Sequence, residues 1–292
     1  MKILWLLISC FFALAHSQNF KDNIHFLVYT VDPNVGPPKN SSTSVSRDPI
    51  AMEWCSEDDL LAVTTHGWTE SCEKDWMIDL LSNLTVHRGG CIICMDYSYY
   101  AADPTYVILR SQFDQIKDVL RQQLLDYNSY GFPYEKMFLF GMSFGAHVIL
   151  EGALGVGEQV IEEIDVCDPA GPGFELMPSA MLSAKNVQTI HTSLGKGNAY
   201  RTGHQNWDLG ICGIAQGAAP LDSHILCPHM YNSAFTHVFQ TEDIPLLCVA
   251  TLLNAATNEP EDYRMGYKER RKYVRGSLWA PTTRTYPYNQ SD

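Results

Sequence analysis

The chain has 292 residues, a formal net charge of −13 at pH 7, and 46% hydrophobic and 18% charged residues. These proportions belong to a folded globular protein and exclude collagen-like, low-complexity and disordered classes. The acidic balance argues against a nucleic-acid partner, since a broad basic face would be needed to neutralise phosphates.

Residues 1–17 read as a secretory signal peptide. Lys2 gives a positive start, Ile3 to Ala15 is an apolar run broken only by Ser9, and Ala15-His16-Ser17 places small residues at the −3 and −1 positions of a cleavage site. The run is shorter than the roughly 20 residues a membrane span requires. Residues 18–292 then read as one secreted, extracellular domain, with no internal repeat or long linker. Cleavage would remove Cys10 and leave an even set of cysteines: Cys55, Cys72, Cys91, Cys94, Cys167, Cys212, Cys227 and Cys248. An even set in a secreted chain fits disulfides. Cys91 and Cys94 form a CxxC pair inside an apolar strand, where their side chains point to opposite faces, so a metal knuckle is not expected. Asn40, Asn83 and Asn289 head N-x-Ser/Thr sequons and are candidate glycosylation sites.

Ile24 to Val31 reads as a strand, followed by a proline- and serine-rich loop to Pro49. A second strand, Leu60 to Thr65, runs straight into His66-Gly67-Trp68. Lys74 to His87 has helical apolar spacing and ends at Gly89-Gly90. Cys91 to Tyr97 is an unbroken apolar run of the parallel-sheet kind. Tyr106 to Tyr127 reads as one long amphipathic helix. Met137 to Gly141 is a strand and Ala146 to Leu154 a helix. Ile164 to Cys167 and Val187 to Thr192 are further strands, Met230 to Asn254 holds helical stretches, and Val274 to Thr285 is a candidate closing strand. Strands alternating with helices predict an α/β fold with a mostly parallel sheet. The basic cluster from Lys268 to Arg275 is interrupted by Glu269 and reads as a solvated face.

Gly141-Met142-Ser143-Phe144-Gly145 is a G-x-S-x-G pentapeptide set between a strand and a helix, the context of a nucleophile elbow. The glycines let strand and helix approach closely, and the helix N-terminus favours negative charge developing at the serine. A serine nucleophile needs a base and an acid, in the chain order Ser, Asp or Glu, His. Asp168 ends the strand IDVC and precedes a proline turn, which places it on the ligand-binding edge of the sheet. Its competitor Asp165 is followed by more strand and points into the sheet. His229, after Cys227-Pro228, is the candidate base, with His204, His224 and His237 as rivals.

Together IHFLVYT, TTHGWTES, EKMFLFGMSFGAH, IDVCDPAGPGFE, RTGHQNW and CPH resemble the pancreatic-lipase family of neutral lipases. The resemblance implies an α/β-hydrolase fold, with helices on both faces of the sheet. It implies a triad of Ser143, Asp168 and His229, with the backbone N–H groups of Trp68 and Phe144 as oxyanion donors. Met142 and Phe144 stand where the family more often has His and Leu. No cofactor is implied. The chain resembles short arthropod members of the family that end with the catalytic domain. A disulfide-bounded lid precedes the catalytic histidine in the family, so Cys212 and Cys227 are expected to pair around GIAQGAAPLDSHIL and pin the His229 loop. So short a lid goes with phospholipase A1-type activity rather than triacylglycerol hydrolysis. The expected function is secreted serine ester hydrolysis of lipid at a membrane or lipid-droplet interface. The alternative is a weak or inactive lipid-binding and storage relative of the yolk-protein type.

Overall fold

A strand with both faces covered has no need of polar alternation. Cys91–Asp96 and Met137–Met142 are accordingly buried along their whole length. In the computed structural model, residues 20–29, 42–45, 55, 60–217 and 222–290 are described. The expected signal segment and the candidate site Asn40 lie outside them.

Nine strands form one sheet: β1 (His25–Tyr29), β2 (Ser42–Val45), β3 (Leu61–Thr65), β4 (Cys91–Asp96), β5 (Met137–Met142), β6 (Ile161–Cys167), β7 (Ala184–His191), β8 (Gln205–Leu209) and β9 (Gly276–Ala280), in the order β2-β1-β4-β3-β5-β6-β7-β8-β9. β1 runs antiparallel to both β2 and β4, and every pairing from β4 through β9 is parallel. β2 falls in what reads from the sequence as loop; it is held by backbone pairing to β1 rather than by an apolar pattern. The expected closing strand is shorter than its sequence limits, at Gly276–Ala280.

The labelled helices are α1 (Asp75–His87), α2 (Tyr106–Ser111), α3 (Phe113–Ser129), α4 (Phe144–Leu154) and α5 (Ser223–Ser233). The single helix expected from Tyr106 to Tyr127 breaks at Gln112, whose φ of −94° and ψ of 0° end α2. Val107 and Ile108 are exposed on α2, but Leu109 is buried in the core that α3 lines, so the apolar stripe continues across the break.

Side chains alternate across the sheet and feed two cores. Ile93, Leu139, Ile164 and Val166 pack with α3 and α4, while Ile92, Phe138 and Phe140 pack with α1 and α5. Cys91 and Cys94 obey the same alternation: Cys91 bonds Cys55 on one face and Cys94 bonds Cys72 on the other. The expected pair Cys212–Cys227 does not form. Cys212, just beyond β8, bonds Cys248, and Cys227, buried on the sheet side of α5, bonds Cys167 at the end of β6. The expected lid is therefore not a disulfide-closed loop, and its residues 218–221 lie outside the described set. Among the glycan candidates, Asn83 is half-buried and its amide donates to Asn232 Oδ1. Asn289 is buried with its amide nitrogen donating to the Val238 carbonyl, which leaves no room for a sugar on the folded chain. No helix among the described residues is long and apolar enough to cross a membrane.

Peptide mapping of non-reduced protein should recover four cross-linked pairs: Cys55–Cys91, Cys72–Cys94, Cys167–Cys227 and Cys212–Cys248. A peptide joining Cys91 to Cys94, or Cys212 to Cys227, would contradict this arrangement.

Candidate active site

β5 ends at Met142, and α4 begins two residues later at Phe144. So abrupt a turn requires Ser143 to adopt φ 57° and ψ −120°, a region that non-glycine residues rarely occupy. Two glycines make it sterically feasible. A Cβ on Gly141 would lie 2.5 Å from the Gly145 carbonyl oxygen, and one on Gly145 would lie 2.2 Å from the His66 carbonyl oxygen. The second contact also stacks the 66–68 loop against the elbow. Ser143 N–H donates to the Cys167 carbonyl at 2.9 Å, and Ala170 N–H donates to the Ser143 carbonyl at 3.1 Å.

Asp168 follows β6 directly and is fully buried, also at positive φ, 40°. Its carboxylate is saturated. Oδ1 accepts the backbone N–H groups of Thr192 at 2.9 Å and Ser193 at 3.2 Å, and Oδ2 accepts the Ser193 hydroxyl. Gly197 leaves space for it, since a Cβ there would sit 2.5 Å from both carboxylate oxygens. Asp165, three residues earlier in β6, points into the α5 face, where it accepts the Tyr231 hydroxyl at 2.5 Å. Burial pushes its carboxyl up to about 6, against the pull of Lys272.

The imidazole that meets both groups is that of His224. Its Nδ1 is 2.6 Å from Asp168 Oδ2 and its Nε2 is 2.7 Å from Ser143 Oγ. A carboxylate only accepts, so Nδ1–H donates to Asp168 and Nε2 accepts the Ser143 hydroxyl. Asp222 caps α5, its side chain accepting the His224 N–H at 2.9 Å. His229 is five residues further along the same helix, rotated by about 140° at the usual pitch. It is half-buried, and it faces the acidic residues Asp79, Glu70 and Asp75. Burial lowers its imidazole below the ordinary value, with those three carboxylates opposing. The geometry thus replaces His229 by His224, one of its three rivals. The signal that would have found it is Asp222 as an N-cap, followed by apolar Ile225, Leu226 and Met230 at helical spacing. A helix starting there presents residues 224 and 229 in different directions. His204 instead accepts the Val187 N–H, and His237 lies beside Thr236 and Ser233, both away from Ser143.

The backbone N–H groups of Trp68 and Phe144 donate to no acceptor among the described residues. Phe144 opens α4, and Trp68 stands in a loop braced on three sides. Gly67 N–H donates to Glu70 Oε2, Trp68 Nε1–H to the Asp103 carbonyl, and the Tyr97 hydroxyl to the His66 carbonyl. His66 is structural here: its ring is buried and stacks on Tyr97 with 4.2 Å between centroids. A cavity of about 280 Å³ opens beside Ser143 and His224, lined by Trp68, Tyr106, Met142, Ala170, Pro172 and Ile225, with Thr69, Glu70 and Lys196 also contributing. Lys196 Nζ is 3.0 Å from Asp222 Oδ2, in an ion pair largely open to solvent.

A family model described as Lipase matches residues 10–207, a stretch that includes Ser143 and Asp168 and stops short of His224. Pancreatic lipase-related protein 2 of Cavia porcellus is 27% identical over 208 residues, covering 64% of this chain and 45% of its own length. Inactive pancreatic lipase-related protein 1 of Homo sapiens is 27% identical over 204 residues, covering 63% of this chain and 41% of its own. The chain thus spans less than half the length of these relatives. Among solved structures, acetyl xylan esterase from Aspergillus awamori aligns over 88% of this chain and 93% of its own, at 10% identity and a TM-score of 0.37. With the family model covering well over half of the sequence, the chain belongs to the pancreatic-lipase family of α/β hydrolases.

Proposed function

We propose that the protein is a secreted serine carboxylic ester hydrolase acting on lipid esters, with Ser143 as nucleophile, His224 as base and Asp168 as acid. The observation that carries this reading is the unbroken hydrogen-bonded series Asp168–His224–Ser143, at 2.6 and 2.7 Å. As Ser143 Oγ attacks the ester carbonyl, its proton passes to His224 Nε2. Asp168 holds the imidazole in the Nδ1–H tautomer and stabilises the imidazolium that forms. The carbonyl oxygen becomes an oxyanion and accepts the N–H groups of Trp68 and Phe144, with the N-terminus of α4 behind it. Collapse expels the alcohol, which takes its proton from His224. Water, activated by the same imidazole, then releases the acid and restores Ser143.

The phospholipase A1-type preference rests on the cavity lining. It is mostly apolar, as an acyl chain requires, with Lys196 as the cation among the described residues that line it. An exposed ion pair such as Lys196–Asp222 is worth about 0–1 kcal/mol, so exchanging Asp222 for a lipid phosphate costs little. Triacylglycerol offers nothing to that ammonium.

Ser143→Ala and His224→Ala should each lower turnover of a soluble p-nitrophenyl ester by roughly 10³-fold or more. The double variant should be little worse than either, and His229→Ala should stay within about threefold of the parent. Full turnover by folded Ser143→Ala would refute the mechanism as drawn. A wild-type protein that turns over no ester would favour the lipid-storage alternative.

Gly197→Ala forces a methyl group into a carboxylate fixed by three donors. Displacing a catalytic group by about 1 Å costs roughly 10²-fold. The same loss should be measured here, with little change in KM.

Lys196→Met should reduce kcat/KM for phosphatidylglycerol by about tenfold, as expected for one charge-assisted contact to phosphate. Hydrolysis of diacylglycerol should remain within about twofold. Equal losses on the two substrates would remove the case for headgroup recognition.

A further inference from the structure

The acid and the base sit on two elements that are cross-linked in register. Three residues of α5, His224, Cys227 and Tyr231, meet three of the β6 end, Asp168, Cys167 and Asp165, in that order. His224 Nδ1–H donates to Asp168, Cys227 is bonded to Cys167, and the Tyr231 hydroxyl donates to Asp165 at 2.5 Å. The spacings match. From 224 to 231 an α-helix advances about 10.5 Å, and from 168 to 165 a strand covers about 10 Å. Cys167, Cys227, Asp165 and Tyr231 are all 0–1% exposed, so the disulfide and the Tyr231–Asp165 bond lie in the core and not at the rim. Cys167 also touches the third member, because its carbonyl accepts the Ser143 N–H at 2.9 Å.

We infer that the Cys167–Cys227 disulfide and the Tyr231–Asp165 hydrogen bond are positioning elements for the reaction. They fix the register of the base-bearing helix on the acid-bearing strand, so the imidazole is placed from the sheet beneath it. The connection that precedes α5 then contributes little to that placement, although Cys212 within it is also cross-linked. Cys167 and Tyr231 act through their neighbours and touch no substrate. The inference rests on the triad reading above.

The test compares kcat and KM for a soluble short-chain p-nitrophenyl ester, together with the rate at which a phosphonate labels Ser143, in three variants. Cys167→Ala/Cys227→Ala should lose about 10²-fold in kcat and in labelling rate, with KM within about twofold. Tyr231→Phe, which keeps the ring and removes one hydrogen bond, should lose about fivefold in kcat. Cys212→Ala/Cys248→Ala removes a different disulfide and should stay within about threefold. If the first variant does not fold, Tyr231→Phe decides. Unchanged kcat in a folded Cys167→Ala/Cys227→Ala protein or in Tyr231→Phe would overturn the inference. An equal loss in the Cys212/Cys248 variant would also overturn it, since any lost cross-link would then suffice. Failure of the triad reading is separable: it shows as turnover that survives Ser143→Ala in the otherwise unaltered chain.

Discussion

A serine held at φ 57° and ψ −120° is the constraint around which the rest is arranged. Such a backbone conformation costs about 1–3 kcal/mol and persists only where the surroundings over-determine it. Here they do. The Cys167 carbonyl takes the serine N–H, the Ala170 N–H takes its carbonyl, and Gly141 and Gly145 remove the side chains that would block the turn. A relaxed strand-to-helix connection would need more residues and would carry the hydroxyl away from the sheet edge. The strain instead projects Ser143 Oγ from an otherwise buried strand toward the imidazole of His224.

The acid is organised by a different principle. Asp168 is fully buried, and burying a carboxylate is costly unless its lone pairs are satisfied. Two backbone N–H groups and the Ser193 hydroxyl meet that demand, and they also remove its freedom to rotate. The remaining direction of Oδ2 is the one His224 occupies. In a region shielded from water the interaction between carboxylate and developing imidazolium is stronger than it would be at the surface. The donors that make burial tolerable therefore also supply the orientation on which the proposed chemistry depends, and Gly197 supplies the space.

The sheet was legible in the sequence because its central strands are buried on both faces and read as unbroken apolar runs, as in Cys91–Asp96. Ser143 and Asp168 were legible because local sequence determines their placement: a glycine-flanked serine between strand and helix, and an aspartate at a strand end before proline. The base was not. His224 and His229 lie on one helix, and which of them faces the serine depends on where that helix begins and how it rotates against β6. The sequence suggests helical stretches from Met230 onward, which places both histidines in a loop marked by Cys-Pro-His, whereas the helix begins at Ser223. The disulfides failed for a related reason. Cys212 and Cys227 are close in sequence, but one follows β8 and the other faces β6 from α5, so tertiary packing separates them. The elements follow from local pattern, whereas the cross-links follow from which faces meet.

The cavity sets a further demand on any lipid substrate. At about 280 Å³ it lies at the small end of ligand pockets, so the proposed lipid substrate would place only part of an acyl chain in it and leave the rest of the molecule outside. Drawing a chain from an aggregate into water would cost about 0.8 kcal/mol for each methylene exposed. That cost falls if apolar surface accompanies the chain to the entrance. Leu176, Leu194 and Ile211 are 97%, 59% and 52% exposed. They follow β6, β7 and β8 in the chain, and those strands are parallel to β5. Leu194 and Ile211 come within three residues of their strand ends, so they lie toward the same edge of the sheet as Ser143. Exposed leucines and isoleucine on unrelated loops would each be unremarkable alone. Apolar surface on the edge that carries Ser143 suits the proposed reaction on lipid, and the pocket there is mostly apolar, with Thr69, Glu70 and Lys196 as its polar contributors.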